Sequence, residues 1–201
     1  MIFSFCVAVA SCTQKSEMDV FIDDLMKQMT LEEKIGQLNL TSTGAIVTGP
    51  DKDPVAVESI QSGEVGGIFG QIGRDRLTEL QSVAVEGSRL GIPMIFGADV
   101  IHGFETVFPI PLASSCSWNL EAIENSARIA AIEATSEGLC WTFSPMVDIA
   151  RDPRWGRIAE GAGEDPFLGS RFAEAMVRGY QGPDKESQLT QPVQMMACVK
   201  H

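Results

Sequence analysis

Ile92-Pro93-Met94-Ile95-Phe96-Gly97-Ala98-Asp99 is an apolar run that ends on a carboxylate, and the same plan recurs twice downstream. Trp141 to Val147 runs into Asp148, and Val193 to Val199 runs into Lys200 and His201. Short apolar runs bounded by turn signals read as strands buried on both faces. A fourth, glycine-rich run covers Val65 to Phe69. Between the runs lie helical patterns. Asp75 to Leu90 turns Leu77, Leu80, Val83 and Ala84 inward and stops at Gly91, and Asn119 to Glu137 stops at Gly138. Asp165-Pro166 opens a helix running to Arg178, closed by Gly179. Strands alternating with helices point to an α/β fold with a parallel sheet. The expected fold class is a (β/α)8 TIM-barrel type domain of which about the first half is present, since a full barrel needs about 250 residues. Periodicity alone leaves an open doubly wound sheet standing.

Upstream, Met18, Phe21, Ile22, Leu25, Met26 and Met29 recur at helical spacing, and Thr30-Leu31-Glu32-Glu33 reads as a capping box ahead of a second apolar stripe, Leu31, Ile35 and Leu38. Both helices are expected to serve packing. Residues 1–12 stand apart. Ile2 to Ala10 is apolar but too short to span a bilayer, and Val9-Ala10-Ser11-Cys12 places small residues before a cysteine, as in a bacterial lipobox. No Lys or Arg precedes the run, a departure from the usual signal. The expectation is a lipoprotein signal over 1–12 with lipidation at Cys12, a tether over 13–17 and a barrel domain over 18–201. That makes the protein exported, in the periplasm or on a membrane, with membrane contact only through the lipid at Cys12.

Composition narrows the partners. The chain carries 15 Lys and Arg against 27 Asp and Glu, a net charge of −12, which repels phosphate backbones and argues against nucleic acid. Hydrophobic residues make up 44%, enough for one sizeable core. Outside the signal, Cys116, Cys140 and Cys198 are odd in number, lie in apolar surroundings and form no C-x-x-C pair, so buried free thiols are expected and no metal site. Gly66 to Gly70 resembles a phosphate loop but lacks the Lys-Ser/Thr ending and the dinucleotide spacing.

In a barrel the C-terminal strand ends converge on the rim where active sites are built, and in an open sheet they line the ligand crevice. Asp99, with Arg157, Lys200 and His201, suits a sugar: a carboxylate accepts from two neighbouring hydroxyls while Arg and Lys donate to their oxygens. Trp155 offers an apolar wall. The loop Asp148 to Glu164 is dense in opposite charges, and internal pairing, for instance Arg151 or Arg154 with Asp148 or Asp152, is the plain reading of most of them.

These motifs resemble a family. Gly97-Ala98-Asp99-Val100-Ile101-His102-Gly103, Thr106-Val107-Phe108-Pro109-Ile110-Pro111-Leu112, Phe143-Ser144-Pro145-Met146-Val147-Asp148-Ile149-Ala150 running into Arg151-Asp152-Pro153-Arg154-Trp155-Gly156-Arg157, Gly163-Glu164-Asp165-Pro166 and Lys200-His201 stand in the order of the N-terminal barrel of glycoside hydrolase family 3 β-glucosidases and β-xylosidases. The resemblance covers about residues 18–201. It implies that Asp99, Arg157, Lys200 and His201 bind the non-reducing sugar of a β-glucoside or β-xyloside, that His102 holds the loop after its strand, and that no cofactor is needed. Members are retaining hydrolases working by double displacement. The resemblance places the nucleophilic Asp on a later strand and the acid/base in a following domain. Neither position is matched here, so the expected catalytic set in this chain is none, and Glu160, Glu164 and Asp148 are not promoted to it. A non-catalytic sugar-binding or structural lipoprotein is the competing class. A β-N-acetylhexosaminidase of the same family is the third option, against which Gly97-Ala98-Asp99-Val100 argues.

Overall fold

A computed structural model describes residues 15–42, 57–182 and 192–201. The expected signal, Cys12 and the start of the expected tether lie outside the described residues. In chain order the elements are α1 (Glu17–Gln28), α2 (Leu31–Gly36), β1 (Leu40–Ser42), α3 (Val57–Gln61), β2 (Gly67–Phe69), α4 (Arg74–Gly87), β3 (Ile95–Ala98), α5 (Pro111–Ser115), α6 (Leu120–Ser136), β4 (Trp141–Thr142), a 3-10 turn (Ile158–Glu160) and α7 (Pro166–Gln181). The sheet is four-stranded, all parallel, in the order β1-β2-β3-β4. Sequential strands lie side by side with helices as crossovers, the arrangement of a (β/α) barrel wall.

One face of the sheet packs on the helices. Ile68 and Phe96 join Leu77, Leu80 and Ala84 of α4 and Ile123, Ala127, Ala130, Ala131 and Ala134 of α6 in one buried cluster. The small side chains of α6 let α7 pack closely, at Ala175, Met176 and Gly179. The other, concave face is only partly covered: Leu40 is 39% exposed and Ile95 41%. Burial on both faces, expected from the apolar runs, is therefore met only in part: Gly67 and Gly97 are buried on this face, whereas Leu40 and Ile95 are not.

Several boundaries differ from the sequence expectation. β1 was not foreseen, because Leu-Thr-Ser carries no apolar run. The strand expected over 193–199 is present as a hydrogen-bonded edge rather than a continuous strand. Met196 N donates to Cys140 O at 2.8 Å, Thr142 N to Met196 O at 2.9 Å and Val147 N to Lys200 O at 2.7 Å, with single parallel bridges Trp141–Met196 and Met146–Lys200. α4 stops at Gly87, before Gly91, because Ser88 is extended and its hydroxyl donates to Ala84 O. α7 passes through Gly179 and ends at Gln181, with Gly182 at φ 93° as its stop.

The helix starts follow their caps. Ser16 caps α1 reciprocally with Asp19, so the helix begins at Glu17, inside the segment expected as tether. Thr30 and Glu33 form the expected box, and Asp165 accepts from Phe167 N and Leu168 N. The apolar stripes of the first two helices do not bury as expected. Phe21 is 64% exposed, and Leu31 and Ile35 are exposed as well. Periodicity marks which face of a helix is apolar; it does not supply the surface that covers it. Among the three cysteines the thiols are free, yet Cys116 is exposed, and Cys140 and Cys198 are half-buried rather than buried.

Candidate functional site

Asp99 is the first residue past β3, and its backbone setting is fixed from behind. Val100, buried, donates its N–H to Thr142 Oγ1 (3.2 Å), and its carbonyl accepts from Thr142 Oγ1 (3.0 Å) and from the Tyr180 hydroxyl (2.7 Å). Tyr180 on α7 is fully buried, and burial pushes its phenol far above the ordinary range. Beyond Asp99 the chain folds back on itself. Phe108 N donates to His102 O at 2.8 Å, His102 Nδ1 lies 3.2 Å from Phe108 O, and Glu133 on α6 accepts from Glu105 N, Thr106 N and the Thr106 hydroxyl. The role expected for His102, bracing the loop after its strand, matches these contacts.

The four residues singled out in sequence meet at this strand end. Lys200 Nζ donates to Asp99 Oδ1 at 3.1 Å, and the Lys200 side chain is 13% exposed against 45% for Asp99. His201 Nδ1 lies 2.7 Å from Asp148 Oδ2. Arg157 Nη1 reaches His201 Nε2 at 3.0 Å, while its Nε and Nη2 donate to Glu160 Oε1 and Oε2 at 2.7 and 2.6 Å. The His201 contact holds the Asp148 carboxyl below its ordinary value, and Arg157 does the same for Glu160. Glu160 in turn raises the Arg157 guanidinium.

The loop pairings sort differently from expectation. Arg154 grips Asp152, as the charge pattern allowed. Asp148 turns to His201 instead of an arginine, because Lys200 and His201 dock alongside Met146 and Val147. Asp148 and Glu160 were thus missed as partners of the site. No local signal finds Asp148, whose partner His201 is brought in by tertiary folding, whereas Glu160 stands three residues after Arg157, a spacing the loop itself displays.

Donor counting shows what is unspent. Among the described residues, Lys200 keeps two N–H bonds after its contact with Asp99, and Asp99 keeps Oδ2. Arg157 keeps one N–H on each of Nη1 and Nη2. The rim therefore offers acceptors and donors side by side around a half-exposed opening. Below it lies an aromatic floor: Phe143 packs on Phe69 with centroids 5.3 Å apart and on Trp141 at 4.5 Å. Gly97, two residues before Asp99, faces Phe143 and Trp141, where a Cβ would lie within 3.3 Å of both. These rings were not foreseen as part of the site, although the two-residue spacing of Trp141 and Phe143 puts both on one face. Trp155, the expected wall, sits exposed in the turn leading to Arg157.

A family model described as the glycosyl hydrolase family 3 N terminal domain matches residues 30–201. The chain belongs to glycosyl hydrolase family 3. It is 45% identical over 184 residues to a periplasmic beta-glucosidase of Salmonella typhimurium, covering 91% of this chain and 23% of that protein. It is 32% identical to a lysosomal beta glucosidase of Dictyostelium discoideum over 191 residues, 83% of this chain and 23% of the relative. Among solved structures, the beta-glucosidase of Listeria innocua in complex with isofagomine superposes with a TM-score of 0.82 at 44% identity, covering 93% of this chain and 26% of that one. The glucose complex of the same enzyme gives 0.79 at 42% identity, with 90% and 26% covered. The family's domain is a TIM-barrel-like α/β fold, and the parallel sheet and helices described above are part of such a barrel. The chain spans about a quarter of the length of these relatives.

Proposed function

We propose that this chain forms the sugar-holding side of the first subsite of an exported retaining glycoside hydrolase that releases terminal β-D-glucosyl or β-D-xylosyl units. The observation that carries the reading is the convergence of Asp99, Arg157, Lys200 and His201, drawn from three separate segments, onto one strand end. Each hexose hydroxyl both donates and accepts, and the rim supplies a free carboxylate oxygen beside unspent ammonium and guanidinium hydrogens, with aromatic rings beneath. The names of the relatives support a glucosidic ligand.

In this reading the carboxylate of Asp99 accepts from two adjacent hydroxyls while Lys200 and Arg157 donate to their oxygens, fixing the ring so that its anomeric carbon faces the bond-breaking groups. A retaining mechanism needs a nucleophilic carboxylate and an acid/base about 5 Å apart. We give neither role to Asp148 or Glu160, because the family pattern places both groups on other elements. We assign the nucleophile and acid/base to parts of the family pattern that follow Lys200-His201, residues 1–12 to a lipoprotein signal with Cys12 as the lipidated residue, and the protein to the periplasm or a membrane surface. The test is a titration of the 201-residue chain with glucose and with xylose, followed by amide chemical shifts. Saturable binding of either, weakened roughly tenfold or more in Asp99→Ala, is the expected result. Binding of neither sugar refutes the reading, and turnover of a nitrophenyl β-glucoside by this chain refutes the assignment of the catalytic carboxylates elsewhere.

A further inference from the structure

The contacts of His201 contain more than a sugar ligand requires. Arg157 presents only donors, and its Nη1 points at His201 Nε2 from 3.0 Å. An N–H cannot face another N–H in a hydrogen bond, so Nε2 must carry its lone pair. The imidazole proton then sits on Nδ1, which faces Asp148 Oδ2 at 2.7 Å. Arg157 cannot swing away from this arrangement without breaking its two-pronged grip on Glu160. The four side chains form a directed row: Glu160 orients Arg157, Arg157 donates to His201, and His201 donates to Asp148.

We propose that Asp148 is a positioning residue that locks His201 in the Nδ1–H tautomer and thereby makes Nε2 the acceptor that, with Glu160 on the other side, holds Arg157 in place at the sugar subsite. The proposal rests on the sugar reading above and adds the direction of the hydrogen bonds. With Nη1 on His201 Nε2 and with Nε and Nη2 on Glu160, the guanidinium is fixed with one N–H left on each of Nη1 and Nη2 to donate to a sugar oxygen. With the opposite tautomer, Nε2–H and the guanidinium both donate, the Arg157–His201 bond is lost, and Arg157 is held by Glu160 alone. A free imidazole in water prefers its proton on Nε2, so the locked form is one the protein imposes.

Asp148 touches neither ligand nor reacting atoms in this scheme, and a merely structural role would leave the tautomer unmoved. The chain has only two histidines, His102 and His201, so a two-bond ¹H–¹⁵N correlation on histidine-labelled 201-residue chain resolves each, with His102→Gln assigning the pair. The expected wild-type pattern for His201 is a protonated Nδ1 and a bare Nε2. In Asp148→Ala the proton moves to Nε2 in part or wholly, the His102 signals stay in place, and the glucose dissociation constant rises roughly tenfold. Asp148→Asn keeps the volume if the alanine variant misfolds, and is expected to shift both readouts in the same direction by less. A bare Nδ1 in the wild type overturns the proposal, as does unchanged glucose affinity in both variants. Wild-type chain that shows the locked tautomer but binds no glucose sinks the sugar reading and leaves the lock standing.

Discussion

Replacing Gly179 by alanine tests how α7 is seated on α6. Helix propensity alone favours the change by about 1 kcal/mol, because Gly179 lies inside α7 with ordinary helical backbone. The structure argues the other way. A Cβ built at Gly179 lies 2.4 Å from Ala127 Cβ, 2.5 Å from Glu124 O and 3.2 Å from Arg128 N. Carbon atoms pack at about 3.5–4.0 Å, so α7 must retreat by about 1 Å. None of the three neighbours is a side-chain tip that can rotate aside. Retreat loosens Phe172, Ala175, Met176 and Tyr180, all buried on the same face. Overpacking of this kind costs about 1–3 kcal/mol, and with a whole helix displaced we take the upper end, leaving a net loss of about 2 kcal/mol after the propensity gain. Gly169, ten residues earlier in α7, is the internal control: its nearest neighbour would be Ile149 Cδ1 at 3.7 Å, an ordinary contact. Gly169→Ala should stabilise by up to about 1 kcal/mol. Urea unfolding followed by circular dichroism measures both. A Gly179→Ala chain as stable as wild type, or two variants shifted in the same direction, refutes the argument from close packing.

Tyr180 is the chain's only tyrosine, so phenolate absorbance reports it alone. Its raised phenol favours the neutral form, so the stability it contributes is complete below about pH 10 and is lost as pH rises further; no phenolate should form near pH 10 until the protein unfolds. Tyr180→Phe should cost about 1 kcal/mol in urea unfolding, because Val100 O keeps its bond from Thr142. For Glu33, whose carboxyl the Arg89 contact and the Thr30 amide hold below its ordinary value, the sign is opposite. Its contribution is present above the unfolded carboxyl range and lost as pH falls through the folded value. The stability gap between wild type and Glu33→Gln should therefore be widest near neutrality and close below about pH 4, and a gap constant with pH would contradict this. In Glu133→Ala the Glu105 and Thr106 amides should exchange with deuterium roughly tenfold faster, and unchanged protection there would show that the loop after β3 is held by other means.

The sequence carried the strand–helix alternation plainly, since Phe96, Leu77, Leu80 and Ala84 occupy the inward positions their spacing assigns. It also carried the charged strand ends, because an apolar run that stops on Asp99 or on Lys200-His201 must bring that charge to a sheet edge. Gly179 shows where local reading misleads: a glycine in a helical pattern reads as a stop, and only the partner helix reveals that it is there for lack of a side chain. The polar strand β1 was invisible for a related reason, as its place in the sheet comes from pairing with β2 rather than from its own hydrophobicity. The exposed stripe of α1 and the Asp148–His201 pair depend on what lies opposite in space, and no window along the chain contains that information.

The Lys200–Asp99 contact joins residues 101 positions apart. On a ribosome emitting about 5–20 residues per second, Asp99 waits on the order of 5–20 seconds in water before its cation is made. His201 is synthesised after every other member of its row, Asp148, Arg157 and Glu160. Assembly of the clamp therefore cannot precede docking of 195–201 along β4. A ligand that needs all four side chains at once would report that this sheet edge has closed.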